Sequence, residues 1–306
     1  MVPDAADRGG KAPVHVPVLL EEIVSFAPSS TRRILDATVG LGGHAGALLR
    51  AHPQASLLAF DRDESALRLA RTSLELFAPR VEFRHGDFRD GLDSVQPGLC
   101  YALADLGVSS LQLDSVERGF SFRSDAPLDM RMDPRGGRTA SDILNTASEK
   151  ELERILLEFG EEPRARAIAR SIIMERRSRK SWTTSAFASL VRREARGRPG
   201  LDPATRAFQA LRIATNDELQ NLDRGLERLA GLLRPGGRLS VIAFHSLEDR
   251  VVKNLFRALQ RTGAFETLTP KPISPSEREE RANPRSRSGR LRVLSKRDAA
   301  GEEVSA

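Results

Sequence analysis

At 306 residues, 40% hydrophobic and 29% charged, the chain has the make-up of a soluble globular protein with room for one large domain or two smaller ones. No run approaches the roughly 20 apolar residues a membrane helix needs, residues 1–11 lack the apolar stretch of a secretory signal, and the single cysteine, Cys100, excludes an internal disulfide and suits a reducing cytoplasm. Lys and Arg number 48 against 42 Asp and Glu, a net +6, and nearly all the cations are arginine, which forks onto phosphates and stacks on bases better than lysine; this balance favours a nucleic-acid partner without requiring one.

Residues 1–14 read as a disordered start, and a helix begins near His15 with Pro17 in its first turn and apolar residues at helical spacing through Phe26. A short apolar strand, Arg33 to Ala37, then breaks into glycines at Gly40, Gly42 and Gly43 and restarts as a helix to Ala51. Ser56 to Phe60 is a second strand, stopping at Asp61; Glu64 to Phe77 is an amphipathic helix; Val81 to His85 and Leu99 to Leu106 are a third and fourth strand. Strands alternating with helices predict βαβ units and a parallel sheet. In such sheets ligands sit beyond the carboxyl ends of the strands, where Asp61, Asp87 and Asp105 fall beside the glycine turn. Cys100, inside the fourth strand, reads as a buried thiol.

The alternation stops after residue 112. Gly119 to Gly137 reads as a long ordered loop, with helices at Glu149–Phe159, Arg164–Ser178 and Thr183–Ala195, so residues 113–199 form a helical insertion between two stretches of the sheet domain, 15–112 and 200–297. Pro203 to Leu233 reads as helical up to a stop at Pro235-Gly236-Gly237. Arg238 to Phe244 resumes the sheet, Leu247 to Gln260 is a helix, Leu291 to Leu294 a last strand, and 298–306 a flexible tail.

The glycine turn admits two ligands. Gly40 to Ala45 fits G-x-G-x-x-A with Asp61 about 20 residues on, as in a dinucleotide fold. S-adenosylmethionine needs the same features, and three points favour it: Asp36 directly before the turn, Gly86-Asp87-Phe88 as an edge and face for adenine, and Asp105-Leu-Gly-Val108 where amino-methyltransferases carry an acid-led acceptor motif. His44 reads equally well as a helix-start cap. His52 and His85 read as solvated or structural. No G-x-S-x-G elbow and no metal-spaced His/Cys cluster occurs.

The longer motifs Asp36-Ala-Thr-Val-Gly-Leu-Gly-Gly-His44, Asp61-Arg-Asp63, Asp105-Leu-Gly-Val-Ser-Ser110 with Gln112-Leu-Asp114, Glu117-Arg-Gly-Phe-Ser-Phe122, Pro127-Leu-Asp-Met-Arg-Met-Asp133, Pro203 to Arg212 and Phe244-His-Ser-Leu-Glu-Asp-Arg250 resemble the MraW/RsmH family from about His15 to Leu294. The resemblance implies a class I S-adenosylmethionine-dependent methyltransferase fold, α/β and Rossmann-like, with a mostly parallel seven-stranded sheet and an inserted helical substrate-recognition domain. It implies methylation of N4 of a specific cytidine in the decoding region of 16S ribosomal RNA, a cytoplasmic enzyme with the small ribosomal subunit as partner, no membrane and no metal. Cofactor contacts would be Gly42, Gly43, His44, Asp61, Phe88, Asp105 and Gln112, with Asp61 on the ribose hydroxyls and Phe88 along the adenine.

Methyl transfer from a sulfonium is an in-line displacement governed by positioning. The cytosine amine is a poor nucleophile because its lone pair is delocalised, so an acceptor for its hydrogens would help. Asp105 is the candidate for that work, or it binds cofactor alone. Arg206, Arg212, His245 and Ser246 are candidates for the acceptor pocket, and Arg123, Arg131 and Asn283–Arg290 for phosphate contacts. Arg131 and Arg212 read equally well as partners of Asp129, Asp133 or Asp217. A non-catalytic RNA-binding assembly factor would share the arginines without needing the cofactor pocket; a NAD-dependent oxidoreductase would share only the turn. A monomer and a homodimer are equally open.

Overall fold

The structure, a computed structural model, describes residues 17–195 and 202–298. The expected disordered start lies outside them, as does the expected tail apart from Asp298. Strands β1 (Arg33–Asp36), β2 (Ser56–Asp61), β3 (Val81–His85), β4 (Leu99–Asp105), β5 (Leu233–Ala243), β6 (Phe265–Thr267) and β7 (Arg290–Lys296) form one sheet in the order β3-β2-β1-β4-β5-β7-β6. Strands β1 to β5 run parallel, and β7 is antiparallel to both β5 and β6. The mostly parallel seven-stranded sheet expected from the resemblance is present. The central strand β4, LCYALAD, is buried along both faces up to Asp105, which is why it reads as an unbroken apolar run rather than an alternating one.

Alternate residues of the strands feed two cores. Ile34, Leu57, Tyr101, Leu103 and Ile242 face α1 (Leu20–Phe26), α2 (Gly43–Ala51) and α3 (Glu64–Ser73). Leu35, Ala102, Ala104, Leu239 and Val241 lie in the other core, with Phe88 of the short helix α4 (Phe88–Gly91). After β4 comes the short helix α5 (Ser110–Asp114), closed by a reciprocal cap between Ser109 and Gln112.

A third core, from Phe120 to Leu211, belongs to helices α6 (Ala140–Thr146), α7 (Glu149–Glu158), α8 (Ala165–Glu175), α9 (Thr184–Glu194) and α10 (Ala204–Asn216). Trp182, Phe187 and Phe208 anchor it, with Phe187 and Phe208 ring centroids 5.4 Å apart. Helix α6 was not expected; its start is set by a Thr139–Asp142 capping box. The expected single helical stretch from Pro203 to Leu233 is two helices, α10 and α11 (Leu222–Gly231). Asp217 (φ 48°) and Asn221 (φ 55°) take left-handed backbone and break it. Strand β5 starts at Leu233, before the expected stop: Pro235 and Gly236 (φ 70°) sit within it, and the ladder slips from Leu99↔Leu233 to Tyr101↔Arg238, a bulge of the kind that tolerates proline. Helices α12 (Ser246–Arg261) and α13 (Glu277–Ala282) complete the chain. Among the described residues no helix is long and apolar enough to cross a membrane.

Candidate functional site

The carboxyl ends of β1, β2 and β4 open onto a cavity of about 390 Å³. Its floor is the turn between Asp36 and α2. Val39 N donates to Phe60 O at 2.8 Å, and Gly42 N to Val39 O at 2.8 Å, so the turn is tied to β2 and to itself. Gly40 (φ 53°) would present an added Cβ to open space, and its N–H donates to Asp61 Oδ2 at 2.8 Å. Gly43 is packed against Pro17, where a Cβ would collide with the proline ring. Of the seven residues expected to hold the cofactor, six line the cavity: Gly43, His44, Asp61, Phe88, Asp105 and Gln112. Gly42 does not. Its left-handed backbone (φ 84°) starts α2 and its α-carbon backs onto Ser73 and Leu74.

Three carboxyls gather here, one buried and two half-buried. Asp36 is 1% exposed, and burial lifts its pKa to about 7 although Thr38 N donates to its Oδ1 at 3.1 Å. Burial also raises Asp61, against hydrogen bonds from Asp63 N and Gly40 N. Asp105 is held well above the usual carboxylate range by burial and then by the charges of Asp36 and Glu248. Its main-chain N–H donates to Thr38 Oγ1 at 2.7 Å, and its Oδ2 lies 3.5 Å from His44 Nδ1. Its Oδ1 is buried with no hydrogen-bond partner among the described residues. His44 Nε2 is 2.9 Å from Val18 O.

The walls are pinned by ion pairs. Asp63, fully buried, caps α3 through Ser65 N and accepts from Gln112 Nε2 (3.1 Å) and Arg118 Nη1 (3.0 Å). Gln112 therefore orients the wall of the cavity through Asp63. Arg118 also donates to the carbonyls of Arg131 and Met132, which ties the loop before α6 to the cavity. Asp87 caps α4 and is clamped by Arg62 and by the fork of Arg89 (2.9 and 2.6 Å), which sets Phe88 at the cavity edge. Arg62, Asp63 and Arg118 all lie within quoted motifs. What singled out none of them was the lack of any local signal for pairings 25 to 55 residues apart.

The expected acceptor residues separate. Arg212 lines the cavity with its guanidinium forked on Glu218 (2.9 and 2.8 Å), not on Asp217. Burial would lower its pKa, but the charge of Glu218, the hydrogen bonds to it and the charge of Glu248 together outweigh this and raise it. Arg206 does not line the cavity and reaches Glu161 O at 3.4 Å; Ser246 Oγ meets Glu161 Oε2 at 3.4 Å. His245 caps α12, its Nδ1 accepting from Glu248 N, and stands behind Glu248, which does line the cavity. Arg131 forks on Asp129 (2.9 and 2.7 Å), and Arg123 is exposed. Asn283, Arg285 and Ser288 reach the cavity from the segment after α13, with Arg285 paired to Asp114.

Glu218, His245 and Glu248 bring three metal-type donors within 4.8 Å of one another. The Nδ1 lone pair is used by the Glu248 N–H, so the neutral ring carries its proton on Nε2, the atom 3.3 Å from Glu248 Oε1. A ring in that tautomer has no lone pair for a cation on the cluster side. Burial would raise the pKa of Glu248, but its contact with the His245 ring, the charge of Arg212 and the N–H of Phe244 lower it.

Sheet order, the antiparallel β7 and the glycine-turn cavity define a class I methyltransferase fold. The sequence matches the MraW methylase family over residues 12–297, and the chain belongs to that family. A Cyanothece protein named ribosomal RNA small subunit methyltransferase H is 48% identical over 290 residues, covering 94% of this chain and 96% of its own. A protein of the same name from Acidobacterium capsulatum is 45% identical, covering 92% of this chain and 98% of its own. An rRNA methylase structure from Streptococcus thermophilus is similar with a TM-score of 0.43 and 12% identity, covering 94% of this chain and 99% of that one, a likeness too distant to locate a site.

Proposed function

We propose that the chain transfers the methyl group of S-adenosylmethionine to the N4 amine of a specific cytidine in the decoding region of 16S ribosomal RNA. The observation that carries this is the convergence on one cavity of the glycine turn, Asp61, Phe88 and Asp105, an acid with an oxygen that has no hydrogen-bond partner among the described residues. The residues fit the cofactor: Gly40 leaves space against the main chain, Asp61 offers carboxylate lone pairs for ribose hydroxyls, and Phe88 gives an aromatic face. When bound, the cofactor supplies an electrophilic methyl on a cationic sulfur.

The chain's own work is positioning. Thr38 and the β4–β5 ladder hold Asp105 still, so its Oδ1 can accept from an N4 hydrogen and orient the amine lone pair for in-line attack. Leu106 to Val108 line the same wall. A cytidine must be splayed from folded RNA to arrive there. On this reading the helices between residues 113 and 199 grip the RNA around it, with Arg212 at the acceptor pocket and Arg123 and the Asn283–Arg290 segment toward phosphates. Relatives named as small-subunit rRNA methyltransferases support the substrate class.

The test is transfer from labelled S-adenosylmethionine to small subunits lacking the mark, with the product mapped by nuclease digestion and mass spectrometry. One added methyl on a cytosine amine is the expected result. No transfer to small-subunit RNA in spite of cofactor binding would refute the reading. RNA affinity should also fall steeply as salt rises, by counterion release from phosphate contacts; a salt-independent affinity would remove the arginines' assigned role.

A further inference from the structure

We propose that His44 and Asp105 act as one proton-relay pair in which the proton lost by the methylated amine passes through the Asp105 carboxyl to His44 Nδ1. This rests on the function proposed above and adds a second residue to it.

The geometry assigns the roles. A carbonyl can only accept, so Val18 O at 2.9 Å requires the proton on His44 Nε2. That leaves the Nδ1 edge facing Asp105 Oδ2 at 3.5 Å. The carbonyl is itself held in place: the next residue, Leu19, has left-handed backbone (φ 55°), and its N–H donates to Glu279 Oε1 of α13 at 2.7 Å. His44 is 6% exposed and sits in the first turn of α2, so its ring is fixed from both ends. Among the described residues, the charges that act on Asp105 are those of Asp36 at the end of β1 and Glu248 on α12, both acids, and Asp61 of β2 acts in turn on Asp36. Two acids beside Asp105 favour keeping one proton between Oδ2 and Nδ1. The buried Oδ1, without a hydrogen-bond partner among the described residues, is the oxygen left to face an incoming amine.

The step balances. The N4 lone pair forms the C–N bond as the C–S bond breaks and sulfur keeps that electron pair. The N4 proton goes to Asp105 Oδ1 while the proton held between Oδ2 and Nδ1 settles on His44. One proton enters the pair, and the positive charge that leaves sulfur ends on the imidazolium, from which it returns to solvent. Asp105 touches the reacting amine; His44 acts through it.

Two substitutions separate this role from packing. His44→Gln keeps a donor for Val18 O, and His44→Asn keeps an acceptor facing Asp105, but neither takes up a proton. Single-turnover methyl transfer at saturating cofactor and RNA should fall at least tenfold in both, within the range usual for general acid–base groups. The acid limb of the wild-type pH–rate profile should disappear in both, a readout that weaker cofactor binding alone does not move once the cofactor is saturating. Unchanged rate and an unchanged acid limb would overturn the relay, as would a loss confined to cofactor affinity. Imidazole ¹⁵N NMR of the wild-type protein tests the pair without any RNA: the His44 signal, assigned by its loss in the variants, should show the proton on Nε2, and its titration midpoint should fall in Asp105→Asn. A proton on Nδ1 would overturn the proposal. A wild-type protein that passes the NMR test but methylates no small-subunit RNA would instead refute the function on which the relay rests.

Discussion

Asp36→Asn tests the electrostatics of the site through folding rather than catalysis. The carboxyl is 1% exposed and raised to about 7 by burial, helped by the charge of Asp61 and opposed by Thr38 N. The sign follows from linkage: a carboxyl whose folded pKa exceeds its unfolded value binds its proton more tightly when folded, so stability falls as pH rises from about 4 and levels off above about 7. Moving the group from 3.8 to about 7 corresponds to about 4 kcal/mol of destabilisation at alkaline pH. Asparagine keeps the oxygen that accepts from Thr38 N and removes the ionisation, at a cost of roughly 1–3 kcal/mol for an amide N–H₂ left without a partner. That cost is independent of pH, so the comparison across pH isolates the carboxyl. Urea unfolding of parent and variant at about pH 5 and about pH 8.5 should show the variant gaining about 3 kcal/mol on the parent between the two. A stability difference that stays constant with pH would refute the raised pKa and, with it, the picture of a proton-retaining acid cluster.

Gly43→Ala should cost about 1–3 kcal/mol in chemical denaturation, because the new methyl meets the Pro17 ring; no change would mean that Pro17 moves aside freely. Asp61→Asn leaves one acceptor for the two main-chain donors Gly40 N and Asp63 N, so calorimetric affinity for S-adenosylmethionine should fall at least tenfold, about 1.5–3 kcal/mol, and wild-type affinity would remove Asp61 from the site. Arg118→Met strips the fully buried Asp63 of its cation and should destabilise by roughly 3–5 kcal/mol. Adding Asp63→Asn to it should recover part of that loss, and strict additivity of the two would refute the pairing.

Much of this site is legible in the sequence, and for local reasons. Strand–turn–helix punctuation at Asp36 to His44 is written in consecutive residues, and Asp61 and Asp105 are the last residues of strands whose apolar runs stop there. The residues at the strand ends line one cavity because a parallel sheet delivers its strand ends to one edge. Arg206 and Ser246 fell away from the cavity for a reason no spacing shows: both turn to Glu161, at a left-handed position after α7.

By itself, then, the sequence determined the βαβ order, the turn, the acids at the strand ends and the family. These depend on hydrophobic period, glycine placement and motif length, all read over a few residues. Tertiary structure alone decided the three-residue strand β6, too short to show alternation, the bulge that admits Pro235 into β5, and the break at Asp217 that divides one helical stretch into two. It also decided the chemistry: that Arg212 is forked on Glu218, that Asp63 is shared by Gln112 and Arg118, and that Val18 O and Asp105 Oδ2 hold the two nitrogens of His44. Each of these joins residues from different elements in a setting of low polarity, where an acid's charge state depends on what the fold places beside it.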